Sequence, residues 1–339
     1  MSAAAWTQFR NTLTAIGNEV LPTAPDAVCQ AEGAAYLARL TAYGIERFLM
    51  GPERLQNGIS FTPARIGGFN PDYRIGTANL VPGGNYRLRT RVNGAYRIGV
   101  GVYTVQPDGR ITTDSYRILA GPGVPRATGE IDLALGGDLA PEAGLALGPA
   151  SNLLVIREIR LREGDAAAAF AFTADPLILP ANAAPSPEAI ALSLSRAQHF
   201  IAGSARQFLR WSQAFAEHPN EITPLAPELD NAVQGDPGTR YFSGYFELGE
   251  NEVLAIELPS FTCDYWGVQV TSHWLEPLPA SHLNHATAAP DADGVTRLFI
   301  AADQGHPNWL PTGGRSRGAI LHRRINASDA PAPRCYLKR

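Results

Sequence analysis

The chain opens on a helical rhythm. Trp6, Phe9, Leu13 and Ile16 recur at spacings of three and four, which predicts a short amphipathic helix over residues 1–20. A second helix is predicted over Ala24 to Phe48, with Ala27, Ala31, Ala34, Leu37, Ala38, Leu40, Ile45 and Phe48 on one side. Pro25 and Asp26 suit its first turn, and Gly51-Pro52 stops it. From Ile75 the period falls to two. Tyr86 to Val92 alternates, Asn93-Gly94 predicts a two-residue hairpin turn, and Ala95 to Val105 returns as the next strand. Pro107-Asp108-Gly109 marks another turn, followed by strands over Arg110 to Leu119, Thr128 to Leu135, Asn152 to Leu161 and Phe170 to Thr173. Connections this short do not accommodate repeated parallel crossovers, so the region reads as antiparallel.

The proline-bearing run Asp175 to Pro187 reads as a linker. The helical period then returns over Pro187 to Ala216, with Ile190, Leu194, Ala197, Ile201, Phe208, Trp211 and Phe215 as its buried stripe. A Pro/Asp/Asn-rich loop follows over Pro219 to Thr239. Strands resume at Arg240 to Leu248, Glu252 to Leu258, Cys263 to Trp274, Thr296 to Ala302 and Gly318 to Asn326, with turns at Gly249-Glu250-Asn251 and Asp291 to Gly294. The order helix, strands, helix, strands predicts a mainly β protein with accessory helices. Its two antiparallel β-sandwich or jelly-roll-like units are each preceded by a helix, in domains at 1–180 and 181–339.

Composition narrows this further. The 339 residues include 33 Gly and 27 Pro, scattered without a period, which excludes collagen and argues against long helical bundles. The net charge of −4 supplies no basic field for nucleic acid or an anionic membrane, so neither is expected as a partner. No stretch approaches the length of a membrane-spanning helix, and no secretion signal is visible. Cys29, Cys263 and Cys335 are far apart and form no CxxC pair, which suits free thiols and a cytoplasmic location.

Candidate chemistry concentrates in the second half. On an extended strand, Cys263, Tyr265, Gln269, Thr271 and His273 share one face, while Asp264, Trp266, Val268, Val270 and Trp274 share the other. The second face is apolar and is expected to meet the core. The first offers a hydroxyl, an amide and an imidazole, so Tyr265 and His273 are candidate acid–base residues with Gln269 as an anchor and Trp266 beside the pocket. The other reading is that these groups satisfy buried loop backbone. Asp264 is either desolvated among aromatic residues or paired with an arginine such as Arg240 or Arg324. The loop from Asp303 to Arg315 collects further chemistry: Asp303 and His306 for proton transfer, with Asn308, Trp309 and Arg315 as substrate contacts. It is expected to close over Tyr265, Gln269 and His273; alternatively Trp309 is a structural plug. His282-x-x-His285 falls between strands, and no HExxH or acidic ligand cluster appears, so no metal is expected. GxSxG, GxGxxG and Walker motifs are absent, and no cofactor is expected either. Arg87, Arg89 and Arg91 alternate on one strand and read as an exposed sheet face.

Three segments carry a resemblance: Gly67-Gly68-Phe69-Asn70-Pro71-Asp72-Tyr73, Phe261-Thr262-Cys263-Asp264-Tyr265-Trp266-Gly267-Val268-Gln269, and His306-Pro307-Asn308-Trp309-Leu310. Through them the chain resembles a bacterial family catalogued as domain of unknown function 1214. The resemblance implies a jelly-roll-type sandwich and covers mainly Arg240 to Asn326; Phe69 stands where the family often has a carboxylate. Asn70 and Tyr73 of the first segment join the candidate substrate contacts. The resulting expectation is a cofactor-independent isomerase, lyase, hydratase or hydrolase acting on a small, largely apolar compound, with homo-oligomer formation allowed. The alternative is a non-catalytic sandwich that binds a carbohydrate or lipid-like ligand.

Overall fold

The computed structural model describes residues 2–50, 58–61, 65–106, 111–126, 129–137, 139–140, 142–174, 186–230, 235–303, 305–329 and 331–338. The expected turn at Pro107-Asp108-Gly109 and most of the linker lie outside them. Three long helices, α1 (Ser2–Val20), α2 (Ala27–Phe48) and α3 (Pro187–Ala216), stand at the N-terminus and between two runs of strands. The first run is β1 (Ser60–Phe61), β2 (Tyr73–Asn79), β3 (Tyr86–Arg91), β4 (Arg97–Val105), β5 (Ile111–Ala120), β6 (Ile131–Gly136), β7 (Gly144–Ala146), β8 (Leu153–Ile159) and β9 (Ala169–Ala174). The second is β10 (Ile222–Pro224), β11 (Thr239–Glu247), β12 (Val253–Leu258), β13 (Tyr265–Thr271), β14 (Pro277–Asn284), β15 (Thr296–Ala301), β16 (Trp309–Pro311), β17 (Arg317–Ile325) and β18 (Arg334–Lys338).

Each run makes a two-sheet sandwich, as the alternating pattern predicts. The first has sheets ordered β1-β2-β8-β4-β5 and β7-β6-β3-β9; the second has β10-β11-β17-β13-β14 and β16-β15-β12-β18. Adding nine to every strand number of the first reproduces the second. Even the exceptional parallel pairs correspond, β6 with β7 and β15 with β16. The chain is therefore a topological duplication, although the sequence shows no residue-level repeat.

Alternation explains the cores. In the first sandwich Ile98, Val100 and Val102 of β4 meet Leu88, Leu133 and Leu135 of the facing sheet. In the second, Phe246, Val268, Val270 and Ile320 meet Leu254, Ile256, Leu298 and Ile300. Strand β3 buries Tyr86, Leu88 and Thr90 and exposes its three arginines. Arg87 pairs with Asp132 at 2.8 Å and Arg91 with Glu130 at 3.4 Å, which is the exposed sheet face expected.

The compact units are Met1–Ile16, Arg39–Pro63 and Asp72–Gly203 in one, and Gly17–Ala38, Ala64–Pro71 and Ser204–Arg339 in the other. Each unit takes part of the helical layer. In the first, α2 approaches α3 at Gly44, where an added Cβ would lie 2.7 Å from Ile201 Cγ1.

Three local expectations are corrected. Asn93 does adopt a turn conformation, with φ of 49°. The flanking strands nevertheless enter opposite sheets, because β3 pairs with β6 and β9 while β4 pairs with β5 and β8. The turn is held by Gly94 N–H donating to Ala166 O at 3.2 Å. On α2 the buried line is Cys29, Gly33, Tyr36, Leu40 and Gly44, while Ala27, Ala31, Ala34 and Ala38 are exposed. Alanine tolerates either environment, whereas the glycines permit close approach. Strand β14, which carries Pro277 and Pro279 among its first three residues, was missed because proline normally demotes a strand.

The Gly33 contact yields a stability test. A Cβ there would sit 2.7 Å from Trp274 Cζ2, whereas one at Gly203 on α3 would meet nothing within 4 Å. Gly203→Ala should stabilise by up to about 1 kcal/mol through helix propensity alone. Gly33→Ala should instead destabilise by about 1–3 kcal/mol, the usual scale of overpacking. Denaturant melts of the two variants measure the difference; equal stabilisation by both would refute the tight seat of α2.

Candidate functional site

In the second unit, strand β13 divides its side chains as expected up to Thr271. Val268 and Val270 enter the sandwich core and Trp266 packs at its margin. Tyr265 and Gln269 face the other way and are buried. They are covered by segment 65–71: Asn70 Nδ2 donates to Tyr265 Oη at 2.8 Å, and Gln269 Nε2 donates to Phe69 O at 3.0 Å. Gln269 Oε1 accepts from Arg323 Nη1 at 2.9 Å, and Arg323 also donates to Gly68 O. Asn70, Tyr265 and Gln269 thus come together, with their hydrogen bonds used to fasten a loop.

The strand stops at Thr271, and a tight turn follows. Ser272 N–H donates to Glu276 O at 2.8 Å, and Leu275 takes a positive φ of 59°. For a branched residue that conformation is costly, so the surrounding structure must enforce it. Leu275 O is bonded by Gly68 N–H at 2.7 Å, and its side chain is fully buried. The turn corrects the expected position of Trp274. Instead of entering the sandwich core, its indole lies on α2, donating through Nε1 to Cys29 O at 2.7 Å and stacking on Tyr36 at 5.7 Å between centroids.

The same turn delivers His273 into a buried polar cluster. Its Nδ1 lies 2.8 Å from Tyr245 Oη and 3.2 Å from Ser212 Oγ, and its ring meets Trp274 edge-on at 4.9 Å. Among the described residues, His273 Nε2 and Tyr36 Oη are buried without a hydrogen-bond partner. Around them, Asp26 lies 3.2 Å from Arg317, and Arg315 Nε donates to Glu32 Oε1 at 2.7 Å. Burial lowers the His273 pKa to about 4, the nearby Asp26 opposing and Arg317 assisting. Burial likewise raises Tyr36 and Tyr245, so both phenols keep their protons. Cys29 is pushed up to about 12 by burial and by its bond to Asp26, which makes it an inert thiol.

The remaining candidates lie elsewhere. Leu298 and Ile300 point into the second core, so Phe299 between them faces outward. His306 stacks on that outward ring at 4.5 Å. Trp309 pairs beside Phe299 and donates through Nε1 to Ala301 O at 3.1 Å. Asn308 clips the loop by donating to Ala289 O at 2.7 Å and Arg297 O at 2.9 Å. Asp303 is exposed. His306 and Trp309 thus occupy the outer face of one sheet, while Tyr265 and Gln269 occupy the outer face of the opposite sheet. Arg315 does reach the α2 side, through Glu32. Tyr73 begins β2 in the other unit, half-buried. Asp264 accepts from Asn326 Nδ2 at 2.7 Å, and Arg240 pairs with Asp329.

Sequence reasoning missed Ser212, Tyr245, Tyr36 and Glu32. The detectable signal was Cys29, Gly33 and Tyr36 at spacings of four and three, a line with little hydrophobic weight. The assembled site is a buried hydroxyl–imidazole cluster in a duplicated β-sandwich protein. No family model matches the chain, and no curated protein matches it. A crystal structure of an uncharacterized Burkholderia cenocepacia protein is similar, with TM-score 0.88 and 26% identity, covering 98% of this chain and 96% of that one. A Vibrio parahaemolyticus protein matches at TM-score 0.48 and 12% identity over 89% of this chain and 100% of that one. The chain is structurally similar over nearly its whole length to the uncharacterized Burkholderia protein.

Two buried histidines make stability pH-dependent. Burial lowers His273 to about 4 and His322 to about 3 from an ordinary 6.5. Unfolded, both take up protons near 6.5, so their contribution is fully present above that pH and lost as pH falls towards 4. Each should remove about 1 kcal/mol per pH unit within that window. Urea melts between about pH 7.5 and about pH 4.5 check this, and unchanged stability across the window would contradict it.

Proposed function

We propose that the protein is a cofactor-independent acid–base enzyme acting on a small, largely apolar organic compound, with His273 at its centre and Tyr245 and Ser212 beside it. One observation carries the reading: a neutral, buried imidazole is held at Nδ1 by hydroxyls and has an unpartnered Nε2. Buried polar groups in folded proteins are normally satisfied, and a ligand that completes the orphaned nitrogen explains the exception. The aromatic wall of Trp274 and Tyr36 suits an apolar substrate body. Isomerisation, elimination, addition of water and hydrolysis are the reaction types open to such a group. We also propose membership of the domain of unknown function 1214 family, on the segments 67–73, 261–269 and 306–310.

The test is turnover of a panel of enolisable ketones, unsaturated acids and aryl esters by the full chain. At least one class should react, and His273→Ala should lower its turnover by about 10²–10⁴-fold, the scale of an acid–base group. Tyr265→Phe should stay within about tenfold of the parent, since its hydroxyl fastens Asn70. Equal activity in His273→Ala and the parent would remove the reading.

A second reading rests on the outer face of the β16-β15-β12-β18 sheet. There His306 stacks on Phe299, Trp309 lies alongside, and Lys338 Nζ stands 4.7 Å above the Phe299 ring. Aromatic rings beside polar groups are the usual surface for a carbohydrate. Soluble oligosaccharides should then change Trp fluorescence in the parent and not in Trp309→Ala; an unresponsive parent removes this alternative.

A further inference from the structure

The neighbours of His273 determine which nitrogen carries its proton. Tyr245 Oη lies 2.8 Å from Nδ1, and no second partner for that hydroxyl is found among the described residues. If Nδ1 were protonated, Tyr245 would accept from it. The phenol proton and the Nε2 lone pair would then both be buried and unpaired. If Tyr245 donates instead, Nδ1 accepts, the proton resides on Nε2, and only the Nε2–H is left over. Leaving a buried donor or acceptor unpaired is costly, so the arrangement with fewer orphans wins. Ser212, at 3.2 Å from the same nitrogen, leaves the comparison unchanged, because Nδ1 has a single lone pair and the serine hydroxyl counts equally in both arrangements.

His273 therefore offers a neutral N–H donor with no hydrogen-bond partner among the described residues. Tyr36 offers a second: its hydroxyl is buried, retains its proton and lacks a partner. The two side chains flank one indole, Tyr36 stacking on Trp274 at 5.7 Å and His273 meeting it edge-on at 4.9 Å. Arg315 holds Glu32 through Oε1, while Glu32 Oε2 is buried without a hydrogen-bond partner among the described residues, and Arg317 lies 3.2 Å from Asp26 and 3.4 Å from Glu247. An entering anion would find neutral donors, engaged arginines and nearby carboxylates. An uncharged acceptor would find donors and an apolar wall.

Building on the acid–base reading above, we propose that His273 Nε2–H and Tyr36 Oη–H form a subsite for the oxygen of an uncharged carbonyl compound, with Trp274 against its apolar body. Within that reading His273 serves on the acid side: its Nε2–H donates to the carbonyl oxygen and polarises it. An imidazole that keeps its proton at neutral pH stabilises developing negative charge on oxygen without prior protonation. Tyr245 is the positioning residue, because its hydroxyl fixes the tautomer.

The experiment uses the full chain labelled with ¹⁵N-histidine, with acetophenone as the neutral probe and benzoate as its anionic counterpart. Long-range ¹H–¹⁵N correlation should show His273 neutral at pH 7, bare at Nδ1 and protonated at Nε2. Acetophenone should shift the Nε2 resonance, and benzoate should bind at least tenfold more weakly. Tyr36→Phe, which keeps the stacked ring, should weaken acetophenone about tenfold, equivalent to about 1.4 kcal/mol. Tyr245→Phe should release Nδ1 and yield a mixture of tautomers with the thermal melt still cooperative. A proton on Nδ1 in the parent, an Nε2 unmoved by acetophenone, or equal binding of benzoate would each overturn the proposal. Correct tautomer and ketone binding without turnover of any panel compound would retain the subsite and defeat the enzyme reading alone.

Discussion

The seat of Trp274 on α2 is the contact on which the site depends. The indole lies where Gly33 leaves space, donates to Cys29 O and stacks on Tyr36. Because the ring needs room, position 33 cannot carry a Cβ without displacing it. Because the ring leaves the strand direction, β13 must end at Thr271 and turn through the costly conformation of Leu275. His273 is carried along by that turn and becomes buried against Tyr245 and Ser212. Its burial then disfavours protonation, which keeps the imidazole neutral. Steric fit, backbone strain and electrostatics thus lead from one to the next.

The duplication supplies an internal control. Tyr73, Ile159 and Arg97 share one register row of the first sandwich, as Thr239, Ile325 and Tyr265 do in the second. Counting along these rows, Asn79 corresponds to Tyr245 and Val105 to His273. The first unit has neither the phenol nor the imidazole, and β4 continues as a strand to Val105 where β13 has already turned away. Its outer face is filled differently. Gly99 and Gly101 accommodate the rings of Tyr116 and Tyr103, and Arg157 donates to Tyr103 Oη at 2.6 Å. One topology therefore presents two outer faces, and the second, among the described residues, gathers the His273 imidazole with the Tyr245 and Ser212 hydroxyls.

Legibility in the sequence follows the same physics. Strands with one apolar face, such as β3 and β12, were readable because alternation reports burial directly. Helix α3 was readable because its stripe is made of large side chains. The line on α2 was not, since Gly33 and Gly44 bury by their smallness and carry no hydrophobic signal. The β3–β4 connection was misread because Asn93-Gly94 specifies a turn but not which sheet receives each strand. His273 and Gln269 were found from alternation, but their partners were invisible. Ser212 and Tyr245 lie 61 and 28 residues away from His273, and no local pattern encodes such contacts. The loop from Asp303 to Arg315 was expected to close over His273, whereas β15 puts His306 on the outward side of its sheet.

Two buried histidines show why satisfaction, rather than burial, separates a site from a structural element. His322 is buried, and its pKa is lowered further than that of His273. Yet both of its nitrogens are used: Nδ1 lies 3.1 Å from Gly267 O, and Nε2 accepts from Arg324 Nε at 2.8 Å. Arg324 in turn lies between the rings of Phe242 and Phe261, at 4.3 and 4.2 Å from their centroids, and donates to Pro331 O. That chain of bonds closes within the fold and leaves nothing for a ligand to complete. His273 has a similar environment but only one nitrogen engaged. A lowered pKa alone does not separate His322 from His273; accounting for the donors and acceptors of each ring does. The fold has finished one imidazole and left the other open, and the open one meets the same indole as Tyr36, whose hydroxyl also has no partner among the described residues.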